Sequence, residues 1–555
     1  MIITVSCTSK INRYESNLVF IEDFGGKSDD NNPDDEAFKS AILYSFHNNK
    51  ILKLKNGTYL IKNRILIDKL VGDFSMIGSE NTILRIPEFG FLRLEAASIE
   101  KTLIANIESG SNMIEVNNVF GLKPNQTIKI NSDSAWEMGW NYKESDTHII
   151  ERINGNKIYT KDPIIFNYKI DEENVKIVIS EKASAKFENL SLIIDPDKSW
   201  LKTTAIELVS MAVNLNNILI RDLQNEIFHR GVSIVNSPEI YIYEMNLEGL
   251  EYGILMNFCR NIKINKIEAK TLRHAIVPAN ACINMSAANI SGYNCQGVID
   301  AHQSFNIHYD SIKDINATQF SNCRALGTKI SNSFFSVDSS FYQDYAYWSN
   351  QLLTKEYEKL YENFDTEFEN VTWIHSKPSD FNGLTCFSCR NFYIRNCTTH
   401  NVSVYGEIFG KALIKNSVIG NIRINSHNVE IDSCILDGRL FESANYLFRF
   451  SGAGSTKINY VNAKNYNSEI TDKFEYFYNT SNKNSVIIKS SSFCRLRYWS
   501  EKLIYPNLDY TSLFIKDTEF IGFTKKLPKA IFNKNIVMNN FEKTVGLNFK
   551  SNNVE

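Results

Sequence analysis

Proline and glycine are scarce in this chain, at 10 and 25 of 555 residues. That scarcity excludes a collagen-like fibre and a low-complexity linker. Long hydrophobic runs are missing too. No stretch reaches the roughly 18 consecutive apolar residues of a membrane span, so none is expected. No one sign of charge dominates. Sixty Lys and Arg nearly balance 63 Asp and Glu, leaving a net charge of −3 and a pI near 6.4. Nucleic acid is therefore not an expected partner. The ten cysteines lack paired spacing. Cys386-Phe387-Ser388-Cys389 is a lone CxxC, and zinc needs a second pair at similar spacing, so no metal site or disulfide is assigned there. Cys259, Cys295, Cys323, Cys397, Cys434 and Cys494 follow Asn, Ser or Phe near the ends of apolar runs, where cysteine acts as small buried filler.

What the chain does have is a repeat. Four segments line up: His229-Arg230-Gly231-Val232, Glu251-Tyr252-Gly253-Ile254, Arg273-His274-Ala275-Ile276 and Cys295-Gln296-Gly297-Val298. Their small residues fall at 231, 253, 275 and 297, a step of 22. A period of roughly 20–30 residues marks a solenoid, in which each repeat stacks on the one before. The apolar runs after the small residues are short and β-branched, so each coil carries strands. The fold class expected is all-β, a parallel β-helix solenoid. The step predicts a vertical column of Arg230, Tyr252, His274 and Gln296, with about 4.8 Å between coils. Asn precedes alternating strands at Asn189, Asn217 and Asn261, as suits corners that need left-handed backbone.

In chain order, residues 1–17 read as a tail and 18–100 as a cap with the first coils. In the cap, Pro33, Asp34 and Asp35 open a helix capped by Asn32, and Ala37, Phe38, Ala41, Ile42, Ser45 and Phe46 form its apolar face. A helix of this kind closes the open end of a solenoid. Residues 101–182 lose the rhythm and read as an inserted antiparallel subdomain, with Asn154-Gly155 at a hairpin turn. Trp136, Trp140 and Tyr142 lie in its polar loop. Coils resume over 183–337. Residues 338–376 form a helical, aromatic insertion around Gln351–Tyr361, and coils return over 377–555.

The stretch Asp23-Phe24-Gly25-Gly26-Lys27-Ser28-Asp29-Asp30, the short helix and Leu54-Lys55-Asn56-Gly57-Thr58-Tyr59-Leu60-Ile61 together resemble the N-terminal cap of the pectate-lyase superfamily. The resemblance implies a right-handed parallel β-helix. The superfamily includes polysaccharide lyases, polygalacturonase-type hydrolases and phage tailspike depolymerases. Val5-Ser6-Cys7 looks like the end of a bacterial lipoprotein signal, although the apolar part of Met1–Lys10 is too short for a secretory signal. The expected location is extracellular or cell-surface, through a lipid on Cys7, or a virion tail.

Arg273, His274, Asp300 and His302 are the candidate catalytic residues. Arg273 has a fork suited to a sugar carboxylate. His274 and His302 titrate near neutrality and suit proton transfer. Asp300 would orient a histidine or hold a hydroxyl or cation. Arg230, Tyr252, His229 and Gln303 are candidate substrate-binding residues. Asp300 is four strand positions beyond His274 in a 22-residue register, roughly 13 Å, so the four groups would serve adjacent subsites. Leu272-Arg273-His274-Ala275 resembles the Arg-His pair of chondroitinase B-type and alginate lyases. Asp300-Ala301-His302-Gln303 is similar to the Asp-Pro-His-Glu segment of mannuronan C5-epimerases. Those lyases carry a Lys one coil earlier, and none occurs between Glu251 and Met256. The resemblances imply an anionic, uronic-acid polysaccharide as partner and β-elimination as the reaction, with calcium as the one cofactor they suggest. A glycoside hydrolase or tailspike-type depolymerase, a C5-epimerase and a non-catalytic glycan-binding solenoid are the alternatives. The protein is expected to be a monomer or a homotrimer.

Overall fold

The computed structural model describes residues 17–539, apart from 88–89, 136–142, 173, 196–202, 224–228, 319–321, 338–364, 376–382, 387–388, 405–409, 425–427, 441–445, 451–453, 465–474, 480–483, 495–511, 517–518 and 522–535. Cys7, the Trp136–Tyr142 loop and the Gln351–Tyr361 segment lie outside the described residues.

The architecture is a parallel β-helix. One continuous sheet joins 31 strands, and its registered pairs are parallel. A second parallel sheet stacks Ile65–Leu70, Leu92–Ala96, Thr203–Val209, His229–Val235, Tyr252–Asn257 and His274–Ala279. The core between the sheets is a ladder of like residues, such as Leu215, Ile242, Ile264 and Ala287 in one register column. Each large aliphatic side chain so enclosed contributes roughly 1.5–3 kcal/mol. Among the described residues, no helix is long and apolar enough to cross a membrane.

One corner of the coil repeats over thirteen turns. Asn189, Asn217, Glu244, Lys266, Asn289, Ser311, Asn332, Asn370, Asn396, Asn416, Ser433, Tyr460 and Ser490 all have φ between 47° and 60°. Strand registers put them in one column. Left-handed backbone costs most residues about 1–2 kcal/mol. Asn bears it best and links to the next coil. Asn217 Nδ2 donates to Asn189 Oδ1 at 2.8 Å, and Asn370 Nδ2 to Asn332 Oδ1 at 2.9 Å. The cysteines take their place from such corners. Cys259, Cys282, Cys295, Cys397 and Cys434 each follow a left-handed residue and are buried as free thiols. Cys259, Cys397 and Cys434 donate to the carbonyl two residues back, as Ser417 and Ser491 do.

The cap helix, α1, runs Asp35–Asn48 and buries Ala37, Phe38, Ala41, Ile42, Ser45 and Phe46, the face expected. It begins later than the sequence suggests. Asp34 takes the N-cap position, and its carboxylate accepts the Lys27 and Leu60 N–H groups instead of those of the helix. Asp34 is thus spent tying the cap loop to the first coil.

Between Leu92–Ala96 and Ala183–Ile194 the chain leaves the coil and returns to it. Ala183–Glu188 pair in register with Gly72–Ile77. The excursion forms a six-stranded antiparallel sheet in the order Ser98–Lys101, Lys176–Ser180, Thr127–Ala135, Lys143–Asn154, Lys157–Thr160, Met113–Glu115. Gly155, at φ 56°, turns the hairpin between Asn154 and Lys157. Its core of Ile128, Ile130, Phe166, Ile177 and Ile179 continues onto Ile283, Phe305 and Leu326 of the coils. A buried polar cluster completes the junction. Asp146 accepts from Ile165 N at 3.2 Å, Phe166 N at 3.2 Å and Tyr168 Oη at 2.9 Å, and meets His148 Nε2 at 3.2 Å. Arg260, on the coil, donates to His148 Nδ1 at 3.0 Å and pairs with Asp162 at 3.1 Å. Arginine only donates, so His148 accepts on Nδ1, gives its Nε2 proton to Asp146 and is neutral.

Candidate functional site

Arg230, Tyr252 and His274 lie at the leading ends of strands in the second sheet, and Asp300 and His302 at the start of Asp300–Ala317, a strand of the 31-stranded sheet. Arg230 pairs in register with Tyr252, and Tyr252 with His274. Small residues come next in the chain for a steric reason. A Cβ on Gly231 would lie 2.5 Å from the Gly253 carbonyl oxygen, and one on Gly253 would lie 2.6 Å from that of Ala275. Close stacking of the coils here therefore requires glycine. The Tyr252 and His274 rings stack at 5.9 Å. The guanidinium carbons of Arg230 and Arg273 lie 5.8 and 4.9 Å from the centre of the Tyr252 ring.

The fourth member of the expected column is displaced. Asn257 pairs with Ala279, 22 residues on, but Arg260 pairs with Ile283, 23 on. The additional residue sits at Asn280-Ala281, both left-handed at φ 50° and 58°. From there Ile276 bridges Ile299 rather than Val298. Gln296 consequently faces Arg273 instead of His274, and Arg273 Nε donates to Gln296 Oε1 at 3.0 Å. Gly297 faces His274, whose Nδ1 lies 2.7 Å from its carbonyl.

The two motifs meet at Asp300, where the sequence placed them at adjacent subsites. Asp300 Oδ2 lies 3.2 Å from His274 Nε2 and 2.6 Å from His302 Nε2. His274 and Asp300 are buried, and His302 is partly exposed. The Gly297 carbonyl can only accept, so Nδ1 of His274 carries hydrogen. Its Nε2 faces a carboxylate, and a neutral ring would oppose two lone pairs there. One proton is therefore held between His274 and Asp300. Burial pushes the His274 pKa down, against the pull of Asp300 and the Gly297 carbonyl, with Arg273 and His302 adding to the fall. The phenol of Tyr252 moves up, chiefly through burial, with Arg273 opposing.

Arg273 pairs with buried Glu251 at 3.3 Å and keeps 37 % of its side chain exposed. His229 is buried, with Nδ1 2.7 Å from Asp222 Oδ2, so it is held away from solvent rather than facing a substrate as the sequence suggested. Gln303 lies in Asp300–Ala317, but its side chain is outside the described residues. Three polar partners are not apparent from the sequence: Glu251, Gln296 as the contact of Arg273, and Asp222. For Glu251 a signal existed, because the step of 22 also stacks 229, 251 and 273. Among the described residues, no group of three or more His, Cys, Asp or Glu could hold a metal ion, so the acidic cluster that calcium would need is not found among them.

No family model matches the chain. No curated protein matches it. Its fold is similar to that of the tailspike protein gp49 from Pseudomonas phage LKA1, with a TM-score of 0.52 and 11% identity, covering 90% of this chain and 81% of that one. It is also similar to the Gp54 tailspike of Acinetobacter baumannii bacteriophage AP22, solved in complex with A. baumannii capsular saccharide, with a TM-score of 0.51 and 11% identity over 95% and 80% of the two chains. At such identity the likeness is one of fold: this chain is a parallel β-helix of the kind from which those tailspikes are built.

Proposed function

We propose that this protein is a carbohydrate-active enzyme that depolymerises an anionic polysaccharide lying across its stacked coils, as a tailspike-type depolymerase does. The observation that carries this reading is the cluster at Asp300, where two imidazoles share one carboxylate beside the half-exposed Arg273. A carboxylate-bearing sugar would be neutralised by Arg273 and Arg230. Asp300 orients the His302 ring through Nε2 at 2.6 Å. The His302 imidazole takes the proton next to the sugar carboxylate, the electrons form the C4–C5 double bond, and the C4–O bond breaks. Tyr252, kept protonated by burial, gives its proton to the departing oxygen and recovers one from water. A positioned base of this sort contributes about 10²–10⁴-fold, and stabilising the enediolate charge contributes more. An extracellular or virion-tail location accompanies this reading.

Hydrolysis is the second reading, favoured by the carboxylates of Glu251 and Asp300 on nearby coils and by the likeness to tailspikes. An inverting hydrolase needs such a pair about 6.5–9.5 Å apart. Incubation with a panel of acidic polysaccharides separates the two. Ultraviolet absorbance from an unsaturated uronide marks elimination, and new reducing ends without that absorbance mark hydrolysis. Intact polymer throughout would reject depolymerisation and leave a binding protein or an epimerase.

A further inference from the structure

The inserted sheet is an arm fixed at its base and laid along the stack. Its two connections to the coils lie side by side. Glu181 N–H donates to the Ala97 carbonyl at 2.7 Å, and Ala97 N–H to that of Leu70 at 2.9 Å. Beyond the base the arm rests on one register column, Arg260, Ile283, Phe305 and Leu326. Arg260 stands three windings past Ala183–Ile194, where the chain rejoins the coil, and Leu326 stands six. At the spacing of strands these are roughly 14 and 29 Å. The arm also has a core of its own. Of the buried residues in the shared apolar cluster, four belong to the coils: Ala281, Ile283, Phe305 and Leu326. The rest, Ile128, Ile150, Ile177 and Ile179 among them, belong to the arm.

Polar contact across the junction converges on Arg260. Its guanidinium donates to the Thr147 carbonyl at 3.4 Å and to His148 Nδ1 at 3.0 Å, and pairs with Asp162 at 3.1 Å. The charged groups that face buried His148 come from three places. Asp146, on its own strand, takes the Nε2 proton and also accepts from the Tyr168 hydroxyl. Asp162 follows the hairpin, and Arg260 belongs to the coils. Lys129, on the adjoining strand, lies against the Phe258 ring instead, 4.0 Å from its centre. The Arg260 bond exists only while Nδ1 keeps a lone pair. A proton added there sets donor against donor across the junction, while it strengthens the His148–Asp146 bond inside the arm. What still spans the junction is the Thr147 carbonyl contact and the Asp162 pair, and Asp162 keeps 38% of its side chain exposed to screening.

We propose that His148 is an acid-sensitive latch: its protonation frees the inserted sheet from Arg260, and the sheet swings out on its base as a folded unit, uncovering Ile283, Phe305 and Leu326. The direction follows from linkage. Docking holds the His148 pKa below its ordinary 6.5, first through burial and then through Arg260. A released His148 binds its proton more readily, so docking is fully present above 6.5 and is lost as pH falls through the depressed value. The device does not depend on what the Asp300 cluster does.

The test is hydroxyl-radical footprinting of the intact protein against pH, read residue by residue by mass spectrometry. Phe166 and Phe305 report the junction, where their rings meet at 5.6 Å. Phe74 and Phe187, 5.8 Å apart, report the core of the coils, and Ile177 and Ile179 that of the arm. Between about pH 8 and about pH 4.5, oxidation of Phe305 and Leu326 is expected to rise about tenfold and to reverse on neutralisation, while Phe187 and Ile179 stay protected. His148→Gln keeps Phe305 covered at both ends of the range, since an amide accepts from Arg260 and donates to Asp146 without titrating. If that variant does not fold, the wild-type midpoint still decides, because the latch requires it to lie below 6.5. Phe305 and Leu326 unchanged in acid, or a midpoint above 6.5, overturns the latch. So does a rise shared by Phe187, which is general unfolding, or a rise in His148→Gln equal to that of wild type, which assigns the trigger to another group.

Discussion

At the junction of the inserted sheet, Asp146, His148 and Arg260 have almost no exposed side-chain surface, 0%, 0% and 4%. At the candidate site the same residue types occur again, but His302 and Arg273 keep 21% and 37%. In the first cluster an arginine covers the second histidine nitrogen, so the proton has one place to be. In the second cluster two imidazoles share one oxygen of Asp300, and Arg273 pairs with Glu251 and Gln296 while keeping part of its side chain exposed. The same residue types are therefore closed off in one setting and reach the surface in the other. Burial of a His-Asp-Arg set says little about function until the second histidine nitrogen is traced to its partner.

The comparison can be broken from either side. The largest effect is expected at the closed cluster. Asp146→Ala strands the Ile165 and Phe166 N–H groups and the Tyr168 hydroxyl, and should cost about 3–5 kcal/mol in denaturant unfolding. If it unfolds like wild type, the cluster does not hold the junction. Next comes His302→Ala, expected to lower turnover about a hundredfold or more while moving the melting temperature little. The reverse pattern would make the open cluster a second structural brace.

Acidification gives a smaller contrast. The folded-state pKa of His148 is depressed below its ordinary 6.5 by burial and by Arg260. The unfolded chain then binds the proton more readily, so stability is present above that value and is lost as pH falls below it. Asp146, also held low once its hydrogen bonds outweigh burial, continues the loss below its ordinary 3.8. The slope below pH 6.5 approaches about 1.4 kcal/mol per unit for each such histidine. His148→Gln should remove one such slope in equilibrium unfolding. His274, depressed likewise, retains the other. The smallest effect belongs to the corners. Tyr460, left-handed and 65 % exposed, should gain up to about 1 kcal/mol when replaced by Asn. A loss there would show that the ring packs usefully.

Much of the coil was legible in the chain because a solenoid writes its geometry as a period. Asn189 and Asn217 announced left-handed corners, and the spacing of Gly231, Gly253 and Ala275 announced the period of the coils. Arg273, His274, Asp300 and His302 could be picked out because polar groups in that register have no core to join. The meeting of His274 and His302 at Asp300 was not legible, because a fixed step of 22 placed Asp300 four strand positions beyond His274. The closed cluster was hidden for another reason. Asp146, His148, Asp162 and Arg260 are brought together by the docking of one sheet on another, which no period records.

The extra residue at Asn280-Ala281 has a wider consequence. Each winding touches only its neighbours, so a change of length in one turn is absorbed at its corner, and the next winding returns to a step of 22, with Ile283 facing Phe305. Taking one residue out of this turn would leave Gly297 facing His274, because the winding would then close in 22 residues. In such an architecture a turn can lengthen or shorten without moving the side chains stacked on either side of it.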